Sequence, residues 1–212
     1  MNGITKSSDR PDERGYALVS LLLLMSILAL FALAAAENSR QQGQREREKE
    51  AIFRGEQVSD AIRSYYRYRG AQGVNSLPNS MDDLLQGIPR GTKKLQILRA
   101  EAAHDPLSKS GEWKLVGPTA ENVAGFVKDL TVYAGGAPPQ PRNDMRNLAS
   151  VIPQMLNVLD TGSTSTGRGG EDDSADSSGP FLGVQSRSQR NSVMTYYGID
   201  HHDGWLFTPL FK

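Results

Sequence analysis

Cysteine is absent from the 212 residues, so neither a disulfide framework nor a thiolate metal site is available, and this absence assigns no compartment. Histidine occurs three times, as His104 beside Asp105 and as His201-His202 between Asp200 and Asp203. No two histidines stand at helical i, i+4 spacing and no HExxH occurs, which removes the usual sequence basis for a catalytic zinc. Charge of one sign is lacking too. The 24 Lys and Arg balance 24 Asp and Glu, so nothing global draws the chain to nucleic acid or to an acidic surface. No GxSxG, no SxxK, no phosphate-binding glycine loop and no dinucleotide fingerprint is present. These absences point away from an enzyme.

What the chain does have is a run of 21 uncharged residues, Tyr16 to Ala36, directly after Arg14-Gly15. As a helix it would span about 31 Å, close to the hydrocarbon thickness of a bilayer. Three readings fit it: a spanning anchor, a secretory signal cut after Ala34-Ala35-Ala36, and a segment cut on its cytoplasmic side and then kept. Against the secretory signal, the apolar core from Tyr16 to Leu33 exceeds the usual length of about 7 to 15 residues. Lys6, Arg10 and Arg14 precede the run and Arg40, Arg45, Arg47, Lys49 and Arg54 follow it, so counting cations does not favour a cytoplasmic N-terminus.

From Glu37 to Gly70 the chain lacks proline and is rich in Gln, Glu, Arg and Lys, which predicts that the apolar helix continues without a break. Ala51/Ile52, Val58, Ile62 and Tyr65/Tyr66 form a narrow stripe at helical spacing, with Gly55 at the gap. Tyr65, Tyr66 and Tyr68 read as core or core edge, and the charged face around Arg45 to Glu50 reads as solvated. Gly70 and Gly73 are expected to end the helix. Ser80 is placed to cap a short helix with Asp83 at its third position, ending at Gly87. Leu95–Arg99 and Glu112–Val116 read as the strands of a hairpin, with turns at Asp105-Pro106 and Ser110-Gly111. Met145, Leu148, Val151/Ile152 and Met155/Leu156 suggest a helix interrupted at Pro153. Residues 161–180 hold no apolar side chain larger than alanine and predict a flexible loop, after which Phe181–Ser186 and Trp205–Thr208 read as strands.

The pattern RGYALVSLLLLM resembles the class III signal of type IV pilin-like proteins, which include the pseudopilins of type II secretion systems. The runs AIFRGEQVSDAIRSYYR, LPNSMDDLL, DPLSKSGEWKLVG and GVQSRS are similar in order and spacing to pseudopilins related to the major, G-type subunit. The likeness covers roughly residues 10 to 118 and 180 to 212. It implies an α+β, pilin-like fold, in which a long N-terminal helix packs on a small antiparallel sheet. The implied domains are a leader at 1–15, a transmembrane helix at 16–36, an amphipathic continuation at 37–70, and a globular domain at 71–212 with a flexible insertion at 161–180. A prepilin peptidase would cut between Gly15 and Tyr16 and methylate the new N-terminus. The location implied is the inner membrane, single-pass, with the C-terminal domain outside the cytoplasm. The partners implied are other pilin-like subunits through the N-terminal helix, the peptidase, and the assembly platform.

The family usually carries a glutamate at the fifth mature position, and here that position is Ser20. Family members lacking it are proposed to sit at the filament tip, so the likeness favours a minor or specialised subunit. No cofactor is expected, apart from calcium, which G-type pseudopilins bind in a C-terminal loop and for which Asp200 and Asp203 are the candidates. The competing reading is a membrane-anchored periplasmic binding or adaptor domain that forms no filament.

Overall fold

The computed structural model describes residues 13–151 and 179–211. Most of the expected leader, most of the expected 161–180 loop, and the second half of the helix expected around Pro153 lie outside them, while the last residues of the leader, 13–15, open the first helix. The fold is α+β, with an N-terminal apolar helix and small antiparallel sheets. The chain divides into two units, Met1–Gln44 and Arg45–Lys212.

Helix α1 covers Glu13–Tyr68. Its end is set by glycine, as expected at Gly70: the N–H of Ala71 reaches the carbonyl of Tyr66 and that of Gly70 reaches Arg67, with Gly70 at φ 89°. These two bonds satisfy terminal carbonyls and turn the chain out of the helix. In the second unit, Ala51, Val58, Ile62 and Tyr66 are fully buried, so the predicted stripe is the helix's core face. Tyr65 is half-buried and Tyr68 exposed, which fits a core edge.

Helix α2, Met81–Leu85, starts with the expected reciprocal cap. The Asp83 N–H donates to Ser80 Oγ, and the Asp83 carboxylate accepts from the Ser80 and Asn79 N–H groups. Ser80→Ala is expected to lower unfolding stability by about 1 kcal/mol. A denaturation midpoint unchanged from the parent would show that the cap contributes nothing.

The expected hairpin does not form as read. Strands β1 (Ile88–Arg90) and β2 (Lys93–Leu95) pair with each other instead, closed by Gly91-Thr92 with Gly91 at φ 65°. Closing so short a connection costs less entropy than closing the much longer segment between Arg99 and Glu112. Only Leu95 of the expected first strand is in a ladder, and Glu112 of the expected second strand forms an isolated bridge with His104, outside the expected first strand. Strand β3, Lys114–Val116, pairs with the distant β4, Gly183–Gln185, which in turn pairs with β7, Leu206–Phe207. The sheet order is β3-β4-β7, so the expected strands at 181–186 and 205–208 are present, are shorter than read, and are partners of one another.

Helix α3, Ala120–Tyr133, and the hairpin of β5 (Asn191–Tyr196) with β6 (Ile199–His201) were not foreseen from sequence. Yet α3 buries Val123, Phe126, Val127 and Leu130, which stand at plain i, i+3, i+4, i+7 spacing. The β5–β6 turn is Tyr197-Gly198, both at positive φ, a pair that lacks the usual Asn-Gly signature. Helix α4, Arg146–Val151, is the described part of the helix expected around Pro153, and it is led by the buried Met145.

Candidate functional site

In the first unit the side chains from Gly15 to Ala32 are exposed on every side of α1. Among the described residues this is the one helix long and apolar enough to cross a membrane, or to act as a signal sequence. A helix that is apolar all round is matched to lipid or to other apolar helices, not to water. Its hydroxyls make no demand on a partner. Ser20 Oγ donates to the Ala17 carbonyl at 3.0 Å and Ser26 Oγ to Leu22 at 2.8 Å, each within the helix itself. Gly15 and Tyr16 lie within the first turn of α1, with Tyr16 80% exposed.

In the second unit the sequence reading needs a correction. The Arg45–Glu50 face is solvated at Arg45, Glu46, Arg47 and Lys49, but Glu48 is fully buried. Its position continues the core stripe one turn back from Ala51, and that periodicity was the only signal for it. The Glu48 carboxylate accepts the backbone N–H groups of Val193 and Met194 at 2.8–3.0 Å. It also meets Nε2 of the buried His202 at 3.0 Å. His202 Nδ1 meets Ser188 Oγ at 3.1 Å, and the Ser188 N–H donates to Ser186 Oγ, also at 3.1 Å. Ser186 Oγ donates to Asp105 Oδ2 at 2.7 Å, and Asp105 Oδ1 accepts the Leu107 N–H. One polar chain thus ties α1, β5, the turn after β6, the turn after β4 and the Asp105-Pro106 turn.

Ser188, His202 and Glu48 stand in the order hydroxyl, imidazole, carboxylate, which also occurs in hydrolases. Here Glu48, His202, Ser186 and Asp105 are each no more than 2% exposed, and Glu48 is further occupied by two backbone donors. A buried chain of this kind holds backbone in place, because each group supplies the partner that another would otherwise lack.

No protein-family model, curated protein or solved structure matches the chain. Its reading therefore rests on these residues.

The adjacent histidines part company as read: His202 is inside, and His201 lies at the surface with its Nδ1 3.3 Å from Asp200 Oδ1. Asp200 and Asp203 are both exposed, Asp203 in the turn His202–Gly204. Among the described residues no three His, Asp or Glu side chains converge as a metal set. His104 is fixed by its backbone, whose carbonyl accepts from Arg54 Nη1, while Arg54 Nε pairs with Glu50, four residues back on the helix, at 2.7 Å. Burial pushes the phenols of Tyr66 and Tyr196 up, in keeping with rings that serve as core.

Proposed function

We propose that the chain is a structural, non-catalytic, pseudopilin-like subunit of a type II secretion or type IV pilus-type assembly, cut between Gly15 and Tyr16 by a prepilin peptidase and methylated there. The observation that carries this reading is α1: one helix holds an apolar run exposed on all sides and, further along, the stripe on which a small α+β domain is built. In the bilayer the apolar run is stored in lipid. On extraction the same surface is buried against neighbouring subunits, and exchange of lipid contacts for helix contacts leaves assembly reversible. The domain would lie outside the cytoplasm, held to α1 by Glu48 and by Gly55 against Phe207.

Ser20 supports a minor or specialised place in such a filament. Its hydroxyl is bonded to its own helix and offers no charge to the amine of a neighbouring subunit. N-terminal sequencing of the mature protein is expected to begin at methylated Tyr16; a start at Glu37, or an intact Met1, would count against the reading. Cysteines placed at Leu23 and Leu30 separate it from a membrane-anchored adaptor domain. A filament subunit gives regular crosslinked ladders through these positions, and an isolated anchor gives none.

A further inference from the structure

Four arginines line one cleft of about 550 Å³ in the second unit. Arg63 and Arg67 stand one turn apart on α1, while Arg142 precedes α4 and Arg146 opens it. The segment that carries the second pair is fastened from both sides. The Arg142 N–H donates to the Leu210 carbonyl at 2.9 Å, and Met145 is fully buried. Two firm elements therefore bring like charges together, an arrangement that opposes folding and that no core contact of these side chains requires.

The lining contains one carboxylate, Asp144, which accepts from Arg63 Nε. Burial would raise the Asp144 carboxyl, but the Arg63 hydrogen bond and the charges of Arg63 and Arg142 outweigh it and hold the group below the usual carboxylate range. Among the described residues Arg67, Arg142 and Arg146 have no ion-pair partner, which leaves three positive charges facing the cleft.

We propose that this cleft binds an acidic peptide segment of a partner protein, its carboxylates held on Arg67, Arg142 and Arg146. The fork of a guanidinium matches a carboxylate's two oxygens, and in the cleft Arg63 Nε already holds one carboxylate oxygen, Asp144 Oδ2. Gln140 and Asn143 also line it, and their amides can pair with peptide N–H and C=O groups, which a bare inorganic anion lacks. The volume falls in the range of about 300–1,000 Å³ typical of ligand sites and exceeds what a single phosphate fills. The proposal does not depend on filament formation.

The test uses the full chain in detergent micelles and fluorescence anisotropy of a labelled tetraglutamate peptide, with tetraglutamine and tripolyphosphate as comparison probes. Tetraglutamate is expected to bind, more weakly as salt rises, and tetraglutamine not to bind. Arg67 and Arg146 are exposed, so replacing both by alanine should leave the fold intact while weakening binding by about tenfold or more. Replacing both by lysine keeps the charge, loses the fork, and should restore only part of the affinity. Lys93→Ala with Lys94→Ala makes the same change in net charge on the exposed β2 and should leave binding unchanged. An equal loss in that lysine variant, binding of tetraglutamine, or tripolyphosphate binding as tightly as the peptide overturns the proposal.

Discussion

Glu48→Ala is expected to lower the unfolding free energy of the domain by about 3–5 kcal/mol, because three groups together lose the fully buried carboxylate that they meet. The effect exceeds that of the lost side-chain volume because of what is left behind. The Val193 and Met194 N–H groups lose their acceptor and His202 Nε2 loses its partner, all around a side chain that is itself fully buried. An orphaned buried donor costs about 1–3 kcal/mol, and a domain's entire stability is about 5–15 kcal/mol. Replacing Glu48 and His202 together by Met and Phe distinguishes the backbone contacts from the side-chain pair. An apolar pair of matching shape can replace two buried polar side chains that bond each other with little loss, but here two backbone donors stay unmet, so the double variant should remain destabilised by about 2 kcal/mol or more. Chemical denaturation of the full chain in micelles reads both. A Glu48→Ala midpoint close to the parent's would mean that water or another acceptor replaces the carboxylate.

That carboxylate also marks the limit of what the sequence displays. The stripe from Ala51 to Tyr66, the Ser80 cap and the strand positions near Val184 and Phe207 each have a local signal, and each is where that signal puts it. Glu48 has only periodicity, inside a run whose composition speaks for solvent. Its partners at Val193 and His202 lie 145 and 154 residues away, so nothing nearby announces them. Strand pairing failed for the same reason. Alternation marks 112–116 as extended but does not say that its neighbour will be Gly183–Gln185 rather than the segment at 95–99. The arginine cleft is likewise half visible: the spacing of Arg63 with Arg67, and of Arg142 with Arg146, suggests two faces, and only the fold brings them to one place. The apolar run differs from all of these, since length and composition alone define it.

Gly55→Ala is expected to be among the most damaging single-methyl changes in the molecule, at about 2–3 kcal/mol, near the top of the usual range for overpacking. From sequence, Gly55 is a gap in the apolar stripe; in the structure it is the slot into which the Phe207 ring is pressed. A Cβ built at Gly55 would meet three atoms of that ring at less than 3 Å. Whether the ring can yield decides the outcome, and its neighbours hold it. Trp113 stands edge-on at 5.7 Å between centroids, Tyr196 is tilted at 5.2 Å, and the Phe207 backbone in β7 is paired with Val184 of β4. The alternative is for α1 to move, which would disturb Val58 one turn further on and Glu48 two turns back. Phe207→Leu by itself leaves a cavity, but in the Gly55→Ala background it frees the volume the new methyl needs. The double variant should therefore be more stable than the sum of the two single losses predicts, by about 1 kcal/mol or more in a double-mutant cycle. Additive losses would mean that the methyl is accommodated by movement elsewhere, and that the close approach of helix and ring is not what fixes α1 against β7.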